Sequence, residues 1–155
     1  METYQPWDPA RAETLIAAHL ALEGPLLPIL HAVQDAFGHV PREAVPLIAK
    51  AVNLSRAEVH GVITFYHDFR PASAGRRVVK VCRAEACQSR GGEENGRFRL
   101  AALGLDAWGA TTPDGAVTVE AVYCLGLCAV APAALIDGRP LGRLDAMSLA
   151  EAARA

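Results

Sequence analysis

Apolar residues recur at helical spacing through the first 70 positions of the chain. In LLPILHAVQDAF they fall three and four residues apart, with Pro25 suited to a first helical turn and Gly38 to the residue after the last. Farther along, Ser55 and Glu58 form the S-x-x-E pattern that caps a helix amino terminus. The predicted helices cover residues 10–22, 25–37, 41–52 and 55–66. Four short helices with short connections predict a small bundle or a pair of hairpins.

The spacing changes after FRPASAG, residues 69–75, whose proline and glycine indicate a linker. The following VVKVC predicts a strand with alternate valines on one face. Another strand is expected after the turn at Asp114-Gly115, and a hairpin around Asp137-Gly138. With a helix after the first strand and another at the end, this order of elements predicts a small α/β or α+β layered fold.

The helices of this second half are less regular. The one predicted over residues 94–103 has poor helix formers around its beginning: Gly91, Gly92, Asn95 and Gly96. Because glycine costs about 1 kcal/mol in a helix interior, we expect that helix to begin late or to fray. A final helix is expected over residues 146–153, capped by Asp145.

Composition and charge exclude several classes of protein. The chain has 155 residues, 52% of them hydrophobic, and a net charge of −2, which argues against disorder and against a nucleic-acid binder. It has no apolar run long enough to insert in a membrane. The amino terminus carries Glu2 and Asp8 and no basic apolar run, so we expect no signal peptide and a cytoplasmic protein. The patterns predict two domains, residues 1–70 and 71–155.

The four cysteines carry the candidate chemistry. Cys82 and Cys87 form a C-x4-C pair, and Cys124 and Cys128 form a C-x3-C pair. In a chain of this size and composition a metal is a better interpretation than disulfides. Structural zinc usually prefers C-x2-C pairs, whereas longer spacings suit a larger group such as a [2Fe–2S] cluster. The spacing alone leaves an iron–sulfur cluster, zinc and free or disulfide-bonded cysteines open.

The cysteine motifs CRAEAC and CLGLC resemble those of the thioredoxin-like [2Fe–2S] ferredoxin family. This is the 24-kDa subunit type of respiratory complex I, with relatives in NAD-linked hydrogenases and formate dehydrogenases. The resemblance extends in order over residues 25–145, through the blocks LLPILHAVQDAFGHVPREA, LSRAEVHGVITFYHDF, TTPDGAVTVEAVYCLGLCAVAP and DGRPLGRL. The version VCRAEACQSRGG is most similar to the gamma subunit of cytosolic, molybdenum-containing NAD-dependent formate dehydrogenase.

The resemblance implies a fold, ligands and partners. The fold would be α+β, with an N-terminal helical bundle followed by a thioredoxin-like α/β domain carrying a [2Fe–2S] cluster. Separately, apolar faces left after the small bundle has packed predict that the helical region docks the subunit on its partner. The cluster ligands would be Cys82, Cys87, Cys124 and Cys128. FMN and NAD would lie in a flavoprotein partner. Further iron–sulfur clusters and a molybdenum cofactor would lie in other subunits of the complex, the molybdenum in its catalytic subunit.

Basic residues surround the first cysteine pair. Residues 70–99 hold eight Lys or Arg and three Asp or Glu, a net charge of +5. Arg83 lies inside the first cysteine loop, where a cation would stabilise the more negative reduced cluster and raise its potential, so it is a candidate tuning residue. A solvated basic face is the alternative interpretation, and the acidic flanking segments argue against a nucleic-acid patch.

Common substrate-binding motifs are missing from this chain. It has no G-x-G-x-x-G, no phosphate-binding G-x-x-x-x-G-K-[ST], no H-E-x-x-H and no G-x-S-x-G. We therefore interpret it as a non-catalytic electron-transfer subunit of an NAD-dependent oxidoreductase, with formate dehydrogenase as the first hypothesis. The alternatives are the equivalent subunit of complex I or of a soluble NAD-linked hydrogenase, and a zinc-stabilised interaction module.

Overall fold

A computed structural model describes residues 4–145 of the chain. The chain divides into two compact units, Met1–Ser73 and Ala74–Ala155. The final helix predicted over residues 146–153 lies outside the described residues. Within residues 4–145, no helix combines the length and the apolar character needed to cross a bilayer.

The first unit is helical. Its four helices are α1 (Pro9–His19), α2 (Leu26–Phe37), α3 (Ala44–Ala51) and α4 (Arg56–Phe65). The helical face predicted for α2 is buried, and the core it forms with the other helices includes Ile29, Leu30, Val33, Phe37, Ile48 and Val59. The predicted capping box is confirmed: the Glu58 N–H donates to Ser55 Oγ, and the Ser55 N–H donates to the Glu58 carboxylate.

Two predicted boundaries in this unit are wrong. The first helix ends at His19 instead of residue 22, because the chain then turns toward Gly24, which has a left-handed φ of 66°. The third begins at Ala44, since Pro41 instead begins a turn in which its carbonyl accepts from the Ala44 N–H. Phe69, the first residue of the predicted linker, is buried in the helical core.

A buried glutamine explains why the segment after α4 is ordered. Gln34 donates from its side-chain amide to the Asp68 carbonyl at 2.8 Å and accepts from the Arg70 N–H at 2.7 Å. Both polar ends of this side chain are therefore satisfied, as burial requires. The segment is held against α2, and Phe69 packs into the core between these two contacts.

The second unit is a four-stranded mixed sheet with helices. Strands β1 (Arg77–Cys82) and β2 (Val117–Val122) are parallel, and β3 (Ala133–Ile136) pairs antiparallel with β1 and with β4 (Arg139–Gly142). The strand order is β2-β1-β3-β4. Helices α5 (Glu85–Gln88) and α6 (Gly92–Ala102) lie between β1 and β2 in the chain. The α+β prediction is confirmed.

Local sequence features of this sheet also agree with their predictions. The hairpin turn between β3 and β4 is formed by Asp137 and Gly138, both with positive φ, as a two-residue turn of this kind requires. Val79 and Val81 of β1 are buried on one face. The short helix α5 has no counterpart in the pattern, because four residues are too few to show a period.

The expected late start of α6 is wrong, and close packing gives the reason. The helix begins at Gly92, where an added Cβ would lie 2.6 Å from the Cys87 carbonyl oxygen. At Gly96 an added Cβ would lie 2.5 Å from the Trp108 ring. The packing of α6 at these two positions thus requires glycine, and tertiary contacts override the weak helix propensity.

Glycine substitution in two helices tests this explanation. Gly96→Ala should destabilise the second unit by about 1–3 kcal/mol because the Trp108 ring must shift. Gly61→Ala in α4 is the matched control: an added Cβ meets no atom within 4 Å, so the change should stabilise by about 0.5–1 kcal/mol. Denaturant unfolding of the full chain, followed by circular dichroism and tryptophan fluorescence, measures both. Equal effects at the two sites would contradict the packing explanation.

Candidate metal centre

The topology of the sheet brings the two cysteine pairs together. Cys82 is the last residue of β1 and is in register with Val122, the last residue of β2. Because these strands are parallel, their carboxyl ends share one edge of the sheet, and Cys124 follows Val122 by two residues. Strand β3 is antiparallel to β1 and starts at the same edge, with Ala134 opposite Val81. The residues that precede β3, including Cys128, therefore also reach this edge.

Each pair is shaped by local structure. Cys87 lies on α5, whose single turn is closed by a hydrogen bond from the Cys87 N–H to the Ala84 carbonyl at 2.9 Å. Cys128 begins a one-turn 3-10 helix, and its sulfur lies 3.9 Å from that of Cys124. Cys124 has a φ of 80°, a left-handed conformation that costs a non-glycine residue energy.

All four cysteines are free thiols, but their exposure differs. Cys82 and Cys87 are buried, and Cys124 and Cys128 are exposed. The buried pair packs with small and aliphatic side chains that keep water from one side of the centre: Ala84, Ala86, Val122, Leu125, Leu127, Ala131 and Ala133. The centre therefore has a dry inner side and an open outer side.

Backbone N–H groups stabilise the sulfur of Cys82 as a thiolate. Burial by itself would raise the pKa of this thiol. Hydrogen bonds from the backbone of Ala84, from the Cys87 thiol and from the backbone of Cys124 and Leu125 outweigh it and lower the pKa. Donors from both cysteine loops thus converge on one sulfur. At the outer side, the Gly126 N–H donates to the sulfur of Cys124 at 3.4 Å.

The pKa values of Cys87 and Cys128 are raised, which favours the neutral thiol at both residues. Burial and the hydrogen-bonded Cys82 raise the pKa of Cys87, against a weaker effect of the Ala133 backbone. The pKa of Cys128 is raised first by its contact with Cys124 and also by the charge of Cys82. These interactions cross from one pair to the other, so a cation bound between the sulfurs would relieve a shared repulsion.

The donor set fits a two-iron cluster. Among residues 4–145, no three side chains of His, Cys, Asp or Glu converge closely enough to hold a single metal ion. The thiols lie instead as two neighbouring pairs. A [2Fe–2S] cluster needs two thiolates on each of its two irons, which is the number and kind of ligand that the two loops provide.

The tuning candidate Arg83 is anchored in place. Its guanidinium makes two hydrogen bonds to the Glu93 carboxylate, at 2.7 and 2.8 Å, and lies 4.8 Å from the centre of the Trp108 ring. The hydrogen bond to Glu93 raises the pKa of Arg83, and the bonds from Arg83 and Arg97 lower the pKa of Glu93. The sequence did not single out Glu93 or assign a role to Trp108, because their contacts with Arg83 appear only in the folded chain.

The fold and the gathered thiols fit an iron–sulfur protein that carries electrons. A family model described as thioredoxin-like [2Fe–2S] ferredoxin matches residues 12–155. The chain belongs to this family, and the family's metal group is a [2Fe–2S] cluster instead of zinc.

Several characterised proteins are similar to this chain. The NADP-reducing hydrogenase subunit HndA of Solidesulfovibrio fructosivorans is 31% identical over 79% of this chain and 71% of its own length. A subunit of the NADH-quinone oxidoreductase of Pseudomonas aeruginosa is 37% identical over 70% of this chain and 64% of its own length.

A solved structure also matches. The crystal structure of an NAD+-reducing [NiFe]-hydrogenase in the air-oxidized state superposes with a TM-score of 0.69 and 28% identity. The match covers 83% of this chain but only 22% of the hydrogenase chain, so the shared part is about a fifth of that longer chain.

The difference in thiol exposure predicts an order of chemical labelling. In the metal-free chain, iodoacetamide should alkylate Cys124 and Cys128 several-fold faster than Cys82 and Cys87, because access of the reagent limits the reaction at buried thiols. Mass spectrometry of peptides from timed samples measures the four rates. The unfolded chain is the control, and its four cysteines should be alkylated at similar rates. Labelling of Cys82 or Cys87 first would contradict the burial described here.

Proposed function

We propose that this chain is the [2Fe–2S] electron-transfer subunit of a cytosolic NAD-dependent formate dehydrogenase. The observation that carries the electron-transfer role is the gathering of four thiols from two separate loops at one sheet edge, with one pair exposed. A group held there is supported by the protein on its inner side and open to a partner on its outer side. Electron transfer to another subunit needs both features.

Cys82, Cys87, Cys124 and Cys128 are the proposed ligands. When bound, a [2Fe–2S] cluster accepts and returns single electrons. The chain's own residues orient the thiols and donate backbone N–H groups to the sulfurs of Cys82 and Cys124. The surrounding aliphatic side chains exclude water from the inner pair, which lowers the local dielectric and strengthens those hydrogen bonds.

The parent complex is proposed from the sequence around the first pair. The resemblance of the segment VCRAEACQSRGG to the gamma subunit of formate dehydrogenase supports this proposal. In that complex a molybdenum subunit would oxidise formate, and a flavoprotein with FMN would reduce NAD+ and exchange electrons with this chain. The similarity to hydrogenase and NADH-quinone oxidoreductase subunits supports the alternative complexes.

Purification of the native complex distinguishes these candidates. A tag on this chain should retrieve a flavoprotein and a molybdenum-containing subunit, and the assembly should reduce NAD+ with formate. Reduction of NAD+ with hydrogen, together with nickel in the preparation, would identify a hydrogenase. Co-purification with membrane subunits and electron transfer from NADH to quinone would identify complex I.

The helical unit is proposed to dock the chain on its flavoprotein partner. Beside α1 and α3 lies a groove of about 300 Å3 with Ile16, Leu20 and Leu47 in its lining. At the end of α4 the side chains of Phe65 and Tyr66 are exposed. Apolar surface left after the helical core has formed is typical of protein interfaces.

Replacing single cysteines tests the ligand assignment. Each of Cys82→Ala, Cys87→Ala, Cys124→Ala and Cys128→Ala should lose most of its iron and acid-labile sulfide, because one iron then has only one thiolate. Ser89→Ala is the matched control, since Ser89 lies near Cys87 in the chain and its exposed hydroxyl donates to the Ala86 carbonyl. Full iron content in two or more of the cysteine variants would refute the assignment.

Removing the helical unit tests whether partner docking and cluster binding are carried by different units. A fragment that starts at Ala74 contains the whole sheet and all four cysteines, so it should still bind iron when expressed with the partner subunits. It should no longer co-purify with the flavoprotein. A fragment that binds the partner normally would assign docking to the cluster unit. A fragment without iron would show that both units are needed for assembly.

A further inference from the structure

Arg83 is a junction between the elements that hold the two cysteine pairs. It follows Cys82 directly in the chain. Its N–H donates to the carbonyl of Val122 at 2.8 Å, and its carbonyl accepts from the Gln88 side chain at 2.7 Å. The backbone of Arg83 therefore connects the first cysteine loop to the end of β2 and to α5.

The side chain of Arg83 is held by two further contacts. Glu93, in the first turn of α6, accepts hydrogen bonds from the guanidinium at both carboxylate oxygens, and the Trp108 ring lies beside the guanidinium. Trp108 can approach this closely because Gly96, one turn along α6 from Glu93, has no side chain. Only 20% of the Arg83 side chain and 28% of the Glu93 side chain are exposed, so water screens this pair weakly.

The pairing changes the electrostatic role that the sequence suggests for Arg83. A guanidinium on the residue that follows Cys82 in the chain would, without a counter-charge, favour the more negative, reduced state of the cluster. Glu93 places an equal and opposite charge against that guanidinium. Arg97 also bonds Glu93, at 2.9 Å, but its side chain is 74% exposed, so solvent screens its charge.

We propose that Glu93 is a positioning residue that sets the potential of the cluster through Arg83. Its carboxylate fixes the guanidinium beside Trp108 and cancels its charge, so that the pair supports the first cysteine loop without favouring reduction. This inference rests on the proposed binding of a [2Fe–2S] cluster by the four cysteines. It concerns how the loop is built and charged, whichever complex the chain serves.

Opposite shifts in midpoint potential are the expected signature. Glu93→Gln leaves the guanidinium uncompensated and should raise the midpoint potential of the cluster. Arg83→Gln removes the cation and leaves a carboxylate, and should lower it. The double variant Arg83→Gln/Glu93→Gln removes both charges and should return close to the wild-type value. Glu93→Asp retains the carboxylate and should stay closer to wild type than Glu93→Gln.

The experiment is a redox titration of the full-length, cluster-loaded chain, followed by electron paramagnetic resonance, with iron assayed in every variant. Arg77→Gln is the matched control: it removes one charge from a paired arginine at the other end of β1, about 16 Å along the strand from Cys82. It should leave the potential unchanged. A smaller loss of iron in Glu93→Asp than in Glu93→Gln, with enough cluster left in both for titration, would support the positioning role.

Three results would overturn the inference. The first is a Glu93→Gln potential equal to or below wild type. The second is a midpoint potential that shifts in the same direction in both single variants and does not return toward the wild-type value in the double variant. A purely structural role of the pair would produce that result. The third is equal loss of iron in Glu93→Gln and Glu93→Asp. Failure of the proposed function is distinct, because the wild-type chain itself would then show no [2Fe–2S] signal.

Discussion

The in-register parallel pairing of β1 with β2 is the constraint on which the site depends. It places Cys82 and Val122 side by side at the ends of their strands, so the two loops that follow begin at neighbouring points. A slip of one residue would turn the side chain of Cys82 to the other face of the sheet. Buried valines on both strands resist that slip, because Val79 and Val119 would lose their burial with it. The hydrophobic core of the sheet thereby maintains the spacing of the thiols.

The electrostatics of the site follow from this arrangement. Several thiols held close together repel one another as they ionise, and burial of one pair adds a further cost. The chain offsets that cost with backbone N–H groups from both cysteine loops that point at Cys82. Such dipoles are built into the backbone and cannot move away when charge develops. The one arginine inside the first loop is paired with Glu93, so its positive charge is offset by a carboxylate.

The sequence predicted features whose cause is local. Ser55 and Glu58 cap α4 because both partners lie within one turn of the same helix. Asp137 and Gly138 form the hairpin turn because few other residues tolerate two positive φ angles in succession. Predictions based on local propensity were less reliable where tertiary packing acts against that propensity. Gly92 and Gly96 argued against a helix, but their missing side chains are what let α6 approach Cys87 and Trp108.

The sequence by itself determined the kind of chemistry, since four cysteines in two pairs limit the ligand set and the motifs around them point to the family. Only the tertiary structure decided how those cysteines are used. Strand register brings together two cysteine pairs that have 36 residues between them in the chain, and burial makes one pair inner and the other outer. Arg83 illustrates the physical reason for the difference. Its charge can be read from the sequence, but the effect of a charge depends on distance and on what lies against it, and Glu93 and Trp108 come close only after the chain has folded.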